Sequence, residues 1–265
     1  MTEKSRAISI SSCFSYEIPI LEQIPLVARA GFTHLSIGGQ YEHSGILDQG
    51  RLSALADALS TYSIGIDSVH GTNLNRANSI ADLEPIVEAA HTLQAPVVVV
   101  HCSSFTFSPS RYEDERHNVL RNIPQLEQLG KQYAVRFALE NVLPGVATQL
   151  VEHVLSECAP QVIGFCYDSS HDQIGGPRPF TLLEEHKNRL IATHLSDRIG
   201  EFTDHVLPGE GFIDFRELTR ILKTSHYCAP LLLEVMMTHS QFKDPIEFLA
   251  QAYRRAVEIY DEVFA

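Results

Sequence analysis

The chain has 265 residues, 44% of them apolar and 20% charged, which is ordinary composition for a folded globular protein with ample core. Its 20 Lys and Arg against 33 Asp and Glu leave a formal net charge of −13, so a polyphosphate backbone would be repelled and nucleic acid is not the expected partner. Five scattered cysteines (Cys13, Cys102, Cys158, Cys166, Cys228) without a Cys-x-x-Cys pair argue against a disulfide framework and a thiolate zinc site, and favour a reducing cytoplasm.

The N-terminal stretch MTEKSRAISISS lacks a long apolar segment, and no run approaches the ~18 residues a membrane span needs, so a soluble, unprocessed chain without a membrane partner is expected. AISISSC reads as a first buried strand and PILEQIPLVARAG as an amphipathic helix. The alternation continues with THLSIG and GRLSALADALSTY, IGIDSVH and ADLEPIVEAAHTL, then PVVVVHC and YEDERHNVLRNIPQLEQLGKQ. VRFALEN and VATQLVEHVLSEC follow, then VIGFCYD, LIATHLSD, DFRELTRILKT and PLLLEV, and a charged helix with an apolar stripe, DPIEFLAQAYRRAVEIYDEVF, closes the chain. SGILDQG and SPSRYEDE read as loops over one end.

The strand candidates are β-branched and without strict alternation, as strands buried on both faces are. Eight of them interleaved with helices in about 250 residues match the arithmetic of an α/β protein with a single (β/α)8 TIM barrel spanning residues 1–265. The alternative is a flavodoxin-like sheet with added elements. A Rossmann fold would place a Gly-x-Gly-x-x-Gly turn after the first strand, where CFSYEIP stands instead.

In such a barrel the active site lies at the C-terminal strand ends. The third to eighth apolar runs finish in His70, His101, Glu140, Asp168, His194 and Glu234. A lone histidine on a strand is usually a packing residue, but six such ends converge on one mouth, where unpaired carboxylates repel and a divalent cation relieves both repulsion and desolvation. Oxygen and nitrogen ligands suit Mn²⁺, Mg²⁺, Co²⁺ or Zn²⁺.

In GFCYDSSHDQIGG, Asp168 is delivered by its strand and His171 follows in the loop, free to bind a second ion or a substrate group; otherwise Asp168 caps the loop and His171 faces solvent. In TDHVLPGEGFIDF, His205 precedes a turn shaped by Pro208, Gly209 and Gly211, which would bring backbone close to a ligand, and Asp214 is a candidate helix cap. His34, His43, His91, His117, His153, His186, His226 and His239 read as surface or packing residues, and Cys102 and Cys166 as inert buried thiols. Substrate choice is assigned to loops around Tyr16, Tyr41, Asn73, Phe105, Phe107 and Gln173.

The motifs ALEN, YDSSH, THLSD, HVLPGEG and LLLEV, in that order, resemble the sugar phosphate isomerase/epimerase superfamily with the xylose isomerase-like TIM barrel, the AP endonuclease 2 family, across nearly the whole chain. The resemblance implies one divalent metal held by Glu140, Asp168, His194 and Glu234. It further implies that the two glutamates act as acid and base on opposite faces of a keto-sugar, through a cis-enediolate whose oxygens the metal polarises. His171 would then bond a substrate hydroxyl and Arg198 would orient the sugar. A homo-dimer or homo-tetramer is also implied.

The endonuclease IV branch of the superfamily binds three zinc ions, and its additional histidines match His70, His101, His171 and His205. The matching histidines keep more than one Zn²⁺ as an alternative, but the branch's Asp-x-His pair falls on Thr203 and His205, with Asp204 displaced by one position, and that departure counts against abasic-site cleavage. Four functions follow: a sugar, keto-sugar or cyclitol isomerase or epimerase; a lyase or dehydratase on a keto-sugar; a zinc phosphodiesterase; and a non-catalytic sugar-binding barrel, which would have no use for two opposed glutamates.

Overall fold

The computed structural model describes residues 6–105, 107–200 and 204–264. Strands and helices alternate as β1 (Ile8–Ser11), α1 (Ile20–Ala30), β2 (His34–Ile37), α2 (Tyr41–Ser44), α3 (Gln49–Tyr62), β3 (Gly65–Asn73), α4 (Ser79–Thr92), β4 (Val97–His101), α5 (Tyr112–Tyr133), β5 (Arg136–Glu140) and α6 (Val146–Glu157). The second half adds β6 (Ile163–Asp168), α7 (Ser169–Asp172), α8 (Thr181–His186), β7 (Leu190–His194), α9 (Phe215–Lys223), β8 (Leu231–Leu233) and α10 (Pro245–Phe264). The eight strands run in parallel in the order β7-β6-β5-β4-β3-β2-β1-β8. A parallel bridge between Leu195 and Leu233 brings β7 and β8 together, so the sheet closes into the expected (β/α)8 barrel rather than an open flavodoxin-like sheet.

Side-chain parity explains both the core and the site. Successive residues of a strand face opposite sides. Val98, Val100, Phe137, Leu139, Phe165 and Tyr167 pack in the main hydrophobic cluster, to which the helices contribute. Val97, Val99, Ala138, Cys166 and Ala192, with the other parity, form a separate small cluster. Two residues further along each strand that same face presents His101, Glu140, Asp168 and His194. Small apolar side chains thus plug the lumen and acids and imidazoles crown it.

Several local expectations are corrected. β3 runs three residues past His70, because a register shift lets Asn73 pair with His101. Glu234 stands one residue beyond β8. SGILDQG and SPSRYEDE are partly helical: Gln49 opens α3 under an Asp48 cap, and Tyr112 opens α5. The segment between β6 and β7, for which no helix is apparent in the sequence, folds as α7 and α8, both too short for a full amphipathic repeat. His34 sits at the start of β2, bonded to Thr33 Oγ1, far from the catalytic end. Among the described residues no helix is long and apolar enough to cross a membrane.

Asp67 gives a stability prediction. It is buried, accepts a hydrogen bond from Ser9 Oγ at 2.8 Å, and burial pushes its carboxyl up to about 6 from an ordinary 3.8. The folded chain therefore holds this proton more tightly than the unfolded chain. The stability the neutral acid contributes is present below the unfolded value and is lost as pH rises through about 6. At about 1.4 kcal/mol per unit, Asp67→Asn should gain about 3 kcal/mol on the parent protein between acid and neutral pH, read from urea midpoints at each pH. A difference that stays constant with pH would contradict this assignment.

Candidate metal centre and active site

The strand ends and the loops after them bring eight of the sequence-selected site residues together at the mouth: His70, His101, Glu140, Asp168, His171, His194, His205 and Glu234. Glu140 is the hub. Its Oε2 lies 3.0 Å from His101 Nε2 and 3.3 Å from His70 Nε2, and its Oε1 lies 3.1 Å from His194 Nδ1 and 3.3 Å from His171 Nδ1. His194 Nδ1 also lies 3.1 Å from Glu234 Oε2, so one imidazole stands between the two glutamates. His171 Nδ1 is 3.5 Å from Asp168 Oδ2. The two glutamates are not equivalent: Glu140 is 0% exposed, whereas Glu234 is 14% exposed at the side chain and lines the cavity.

The donor set fits a divalent cation. One ligand atom from each of Glu140, Asp168, His194 and Glu234 falls within 4.8 Å of the others. Glu140 Oε1, Asp168 Oδ2 and His194 Nδ1 are buried and, despite ion-pair approaches of 3.1 to 3.5 Å, make no aligned hydrogen bond, a costly state that a cation would relieve. Two overlapping groups, His70 with Glu140 and His194, and Asp168 with His171 and His205, are equally compact. Glu152, Glu185 and His186 form a further compact group away from the mouth.

Electrostatics matches this. Burial works to raise Glu140, but His194 and His101 outweigh it and hold the carboxyl well below the usual range. Glu234 is likewise held down against burial, chiefly by His194. Burial pushes Asp168 well above the usual range; His205 opposes the shift, and the charges of Glu140 and Glu234 add to it. His194 is held well above its usual value against burial, by Cys166, Glu140 and Glu234. Burial lowers His101, while Glu140 raises its neighbour His70 against burial; the two rings lie 4.8 Å apart, and one carboxylate supports only one imidazolium there. Three carboxylates this close cannot all ionise unless cationic groups offset their charge, and the imidazoles beside Glu140 and Glu234 supply part of that offset.

Asp168 caps the following loop and also belongs to the compact donor group. Its Oδ1 accepts from His171 N at 2.6 Å, capping α7, and Oδ2 lies 3.5 Å from His171 Nδ1; His171 is buried rather than in solvent. Asn141, which sequence reasoning passed over although it ends ALEN, clamps the backbone of Asp168 through Oδ1 to its N–H and Nδ2 to its carbonyl, both at 2.9 Å. His205 has φ +30, and its Nδ1 lies 3.1 Å from Ser196 Oγ and 3.3 Å from the Glu234 carbonyl, which sets its ring 5.2 Å from that of His171.

A cavity of about 510 Å³ opens above the cluster, walled by Tyr16, Gln40, Phe105 and Met236. Of the loop residues expected to choose the substrate, Tyr16 and Phe105 are there. Tyr41 instead donates to the His70 carbonyl, Gln173 is buried and bonded to Asp172 and Arg178, Asn73 pairs in β3 and Phe107 packs on the core. Cys13, Gln40 and Met236 carry no signal in the sequence, because only the folded loops turn them inward. Burial pushes the thiols of Cys13 and Cys166 far up, Cys166 to about 12, which leaves neither a ready nucleophile.

Arg198 is not in the cavity. It is 1% exposed, donates from Nη1 to Ser170 Oγ at 2.9 Å, and pairs with Asp204 at 3.5 Å, so it fastens two loops instead of facing a sugar. Asp204 also accepts from the N–H groups of Ile199 and Gly200, which turns it away from the cluster, and Thr203 lies outside the described residues. The Gly209 to Gly211 turn does not line the cavity at the mouth: it wraps the buried Asp197 carboxylate. A Cβ at Gly211 would lie 2.0 Å from the Arg198 carbonyl, so Gly211→Ala must push this loop off Asp197 and should cost about 1–3 kcal/mol in urea unfolding. Asp214 caps α9 as expected.

The chain is a parallel barrel whose C-terminal end carries carboxylates and imidazoles in groups compact enough to hold a metal ion. The sequence profile of the xylose isomerase-like TIM barrel family matches residues 24–252, and the chain belongs to that family. It is 26% identical to the uncharacterized protein y4fM of Sinorhizobium fredii, over 84% of this chain and 83% of the other. It is 24% identical to an inosose dehydratase of Clostridium botulinum, over 86% and 85%. Among solved structures, the IolI protein with a bound zinc atom superposes with a TM-score of 0.79 at 17% identity, covering 98% of this chain and 99% of the other. The 3-keto-D-glucoside 4-epimerase YcjR of E. coli does so with 0.71 at 18% identity, covering 98% and 99%.

Proposed function

We propose that the protein is a divalent-metal-dependent isomerase or epimerase of a sugar, keto-sugar or cyclitol. The observation that carries this reading is the pair of glutamates on either side of His194, one sealed and one facing the cavity, in a group compact enough for a single ion. Glu140, Asp168, His194 and Glu234 would hold Mn²⁺, Mg²⁺, Co²⁺ or Zn²⁺. Such an ion supplies a Lewis acid for the substrate carbonyl, offsetting the charge that develops there when an α-proton leaves.

Glu234 takes a proton from the carbon next to the carbonyl on the cavity side, since its carboxylate is the one that substrate can reach. The proton that Glu234 has taken returns to the enediolate at the neighbouring carbon, while Glu140, closed off from the cavity, is kept ionised by His194 and His101 and would act as a ligand of the ion. His171 and His205, in the cavity wall, donate to and accept from sugar hydroxyls. The test is proton exchange: a keto-sugar incubated in deuterated water should acquire deuterium at the carbon next to its carbonyl, and no exchange across a panel of ketoses and inososes would sink the reading.

The inosose dehydratase relative favours a second reading, in which the same proton abstraction is followed by loss of a β-substituent. Water release rather than isomer formation in that assay selects it. Zinc phosphodiesterase chemistry rests on the overlapping histidine groups, and more than one Zn²⁺ would be required. The locking of Asp204 onto Arg198 counts against it. A cytoplasmic setting rests on the cysteine pattern. A dimer or tetramer rests on the resemblance alone, and light scattering that finds only monomer would remove it.

A further inference from the structure

We infer that the sugar taken by this site is uncharged and carries no phosphate ester, an inference that rests on the sugar reading above. Parallel barrels ordinarily turn backbone amides after the seventh and eighth strands toward phosphate. Here, among the described residues, many of those amides are spent on the protein's own groups. Asp197 Oδ2 accepts from Gly209 N at 2.9 Å and Gly211 N at 3.0 Å, and Oδ1 from Arg198 N at 2.8 Å and Ile213 N at 2.9 Å. The Asp197 side chain is buried, so an internal carboxylate already fills the anion-sized nest. Ile199 and Gly200 give their N–H groups to Asp204.

Several amides of the loop after β8 are spent in the same way. Met236 N donates to the His205 carbonyl at 2.8 Å and Met237 N to the Phe14 carbonyl at 2.9 Å, while His239 and Ser240 donate back to Met236 and Met237. The Arg198 guanidinium is turned onto Ser170 and Asp204. Among the described residues, the cavity wall offers imidazoles, a glutamate, a glutamine amide, two aromatic rings and a thioether, and no Lys or Arg. Imidazoles that both donate and accept suit hydroxyl groups, and Tyr16 and Phe105 suit the C–H faces of a sugar. A phosphate dianion would meet Glu234 and the carboxylates beneath it.

The test uses a polyol pair that cannot react, glucitol and glucitol 6-phosphate, titrated calorimetrically into the full-length protein treated with a chelator, so that no metal can bind the phosphate. Binding of the phosphate no tighter than that of the free polyol upholds the inference; binding tighter by about tenfold or more overturns it. In the metal-loaded protein, kcat/KM for a free ketose should exceed that for its phosphate ester by about 100-fold or more, and a reversed preference likewise overturns it. If neither ketose reacts, the isomerase reading falls, while the calorimetric comparison still decides the question of charge.

Discussion

Glu234→Gln should lower turnover of the true keto-sugar by about 10²–10⁴-fold, the usual worth of a positioned general base. The amide keeps the shape of the carboxylate and can still offer one oxygen to a cation, but it cannot accept the α-proton. Because Glu234 faces the cavity and approaches His194 at 3.1 Å, the loss should fall in kcat more than in KM, and deuterium exchange should fall with it. Glu140→Gln should be as damaging and should also loosen the crown, since Oε2 faces the Nε2 atoms of His70 and His101. Unchanged activity in both variants would remove the mechanism.

Asp168→Asn should move stability in opposite directions with and without metal. Without metal, burial and the charges of Glu140 and Glu234 hold this carboxyl well above its usual range, against the pull of His205, so its ionised form is disfavoured at neutral pH. The sign follows: the folded state prefers the neutral acid, stability from this group falls as pH rises, and a neutral amide removes that cost. The metal-free variant should therefore melt higher than the metal-free parent, by about 2–4 °C for each kcal/mol relieved. Its gain on adding metal should shrink or vanish, because a ligand has gone and binding to the folded state is what raises the melting point. A variant that loses stability without metal and still gains the parent's increment with it would contradict the assignment of Asp168 as a ligand.

The barrel was legible because its strands are short, β-branched and separated by stripes of helical period. The crown was legible because a parallel strand buried on both faces has little reason to end in an acid or imidazole unless that end is used. What escaped depends on loops. Asp197 stands in THLSD with no feature to distinguish it from a surface acid, and only folding brings the amides of Gly209, Gly211 and Ile213 around it. Arg198, next to it, reads as a cation beside the mouth, but the nest that fixes its backbone sends its side chain under the β6 loop instead. Cys13 and Met236 enter the cavity because the turns after β1 and β8 bring them there, and a strand-end reading cannot follow a turn.

The most direct test of the central claim is the metal content of the dialysed protein, measured by plasma mass spectrometry on the parent and on Asp168→Asn. About one equivalent of manganese, cobalt, magnesium or zinc per chain in the parent, lost in the variant, is the predicted result. Retention of the same metal by the variant, or a parent that binds none when each ion is supplied, would contradict a metal centre built on Glu140, Asp168, His194 and Glu234.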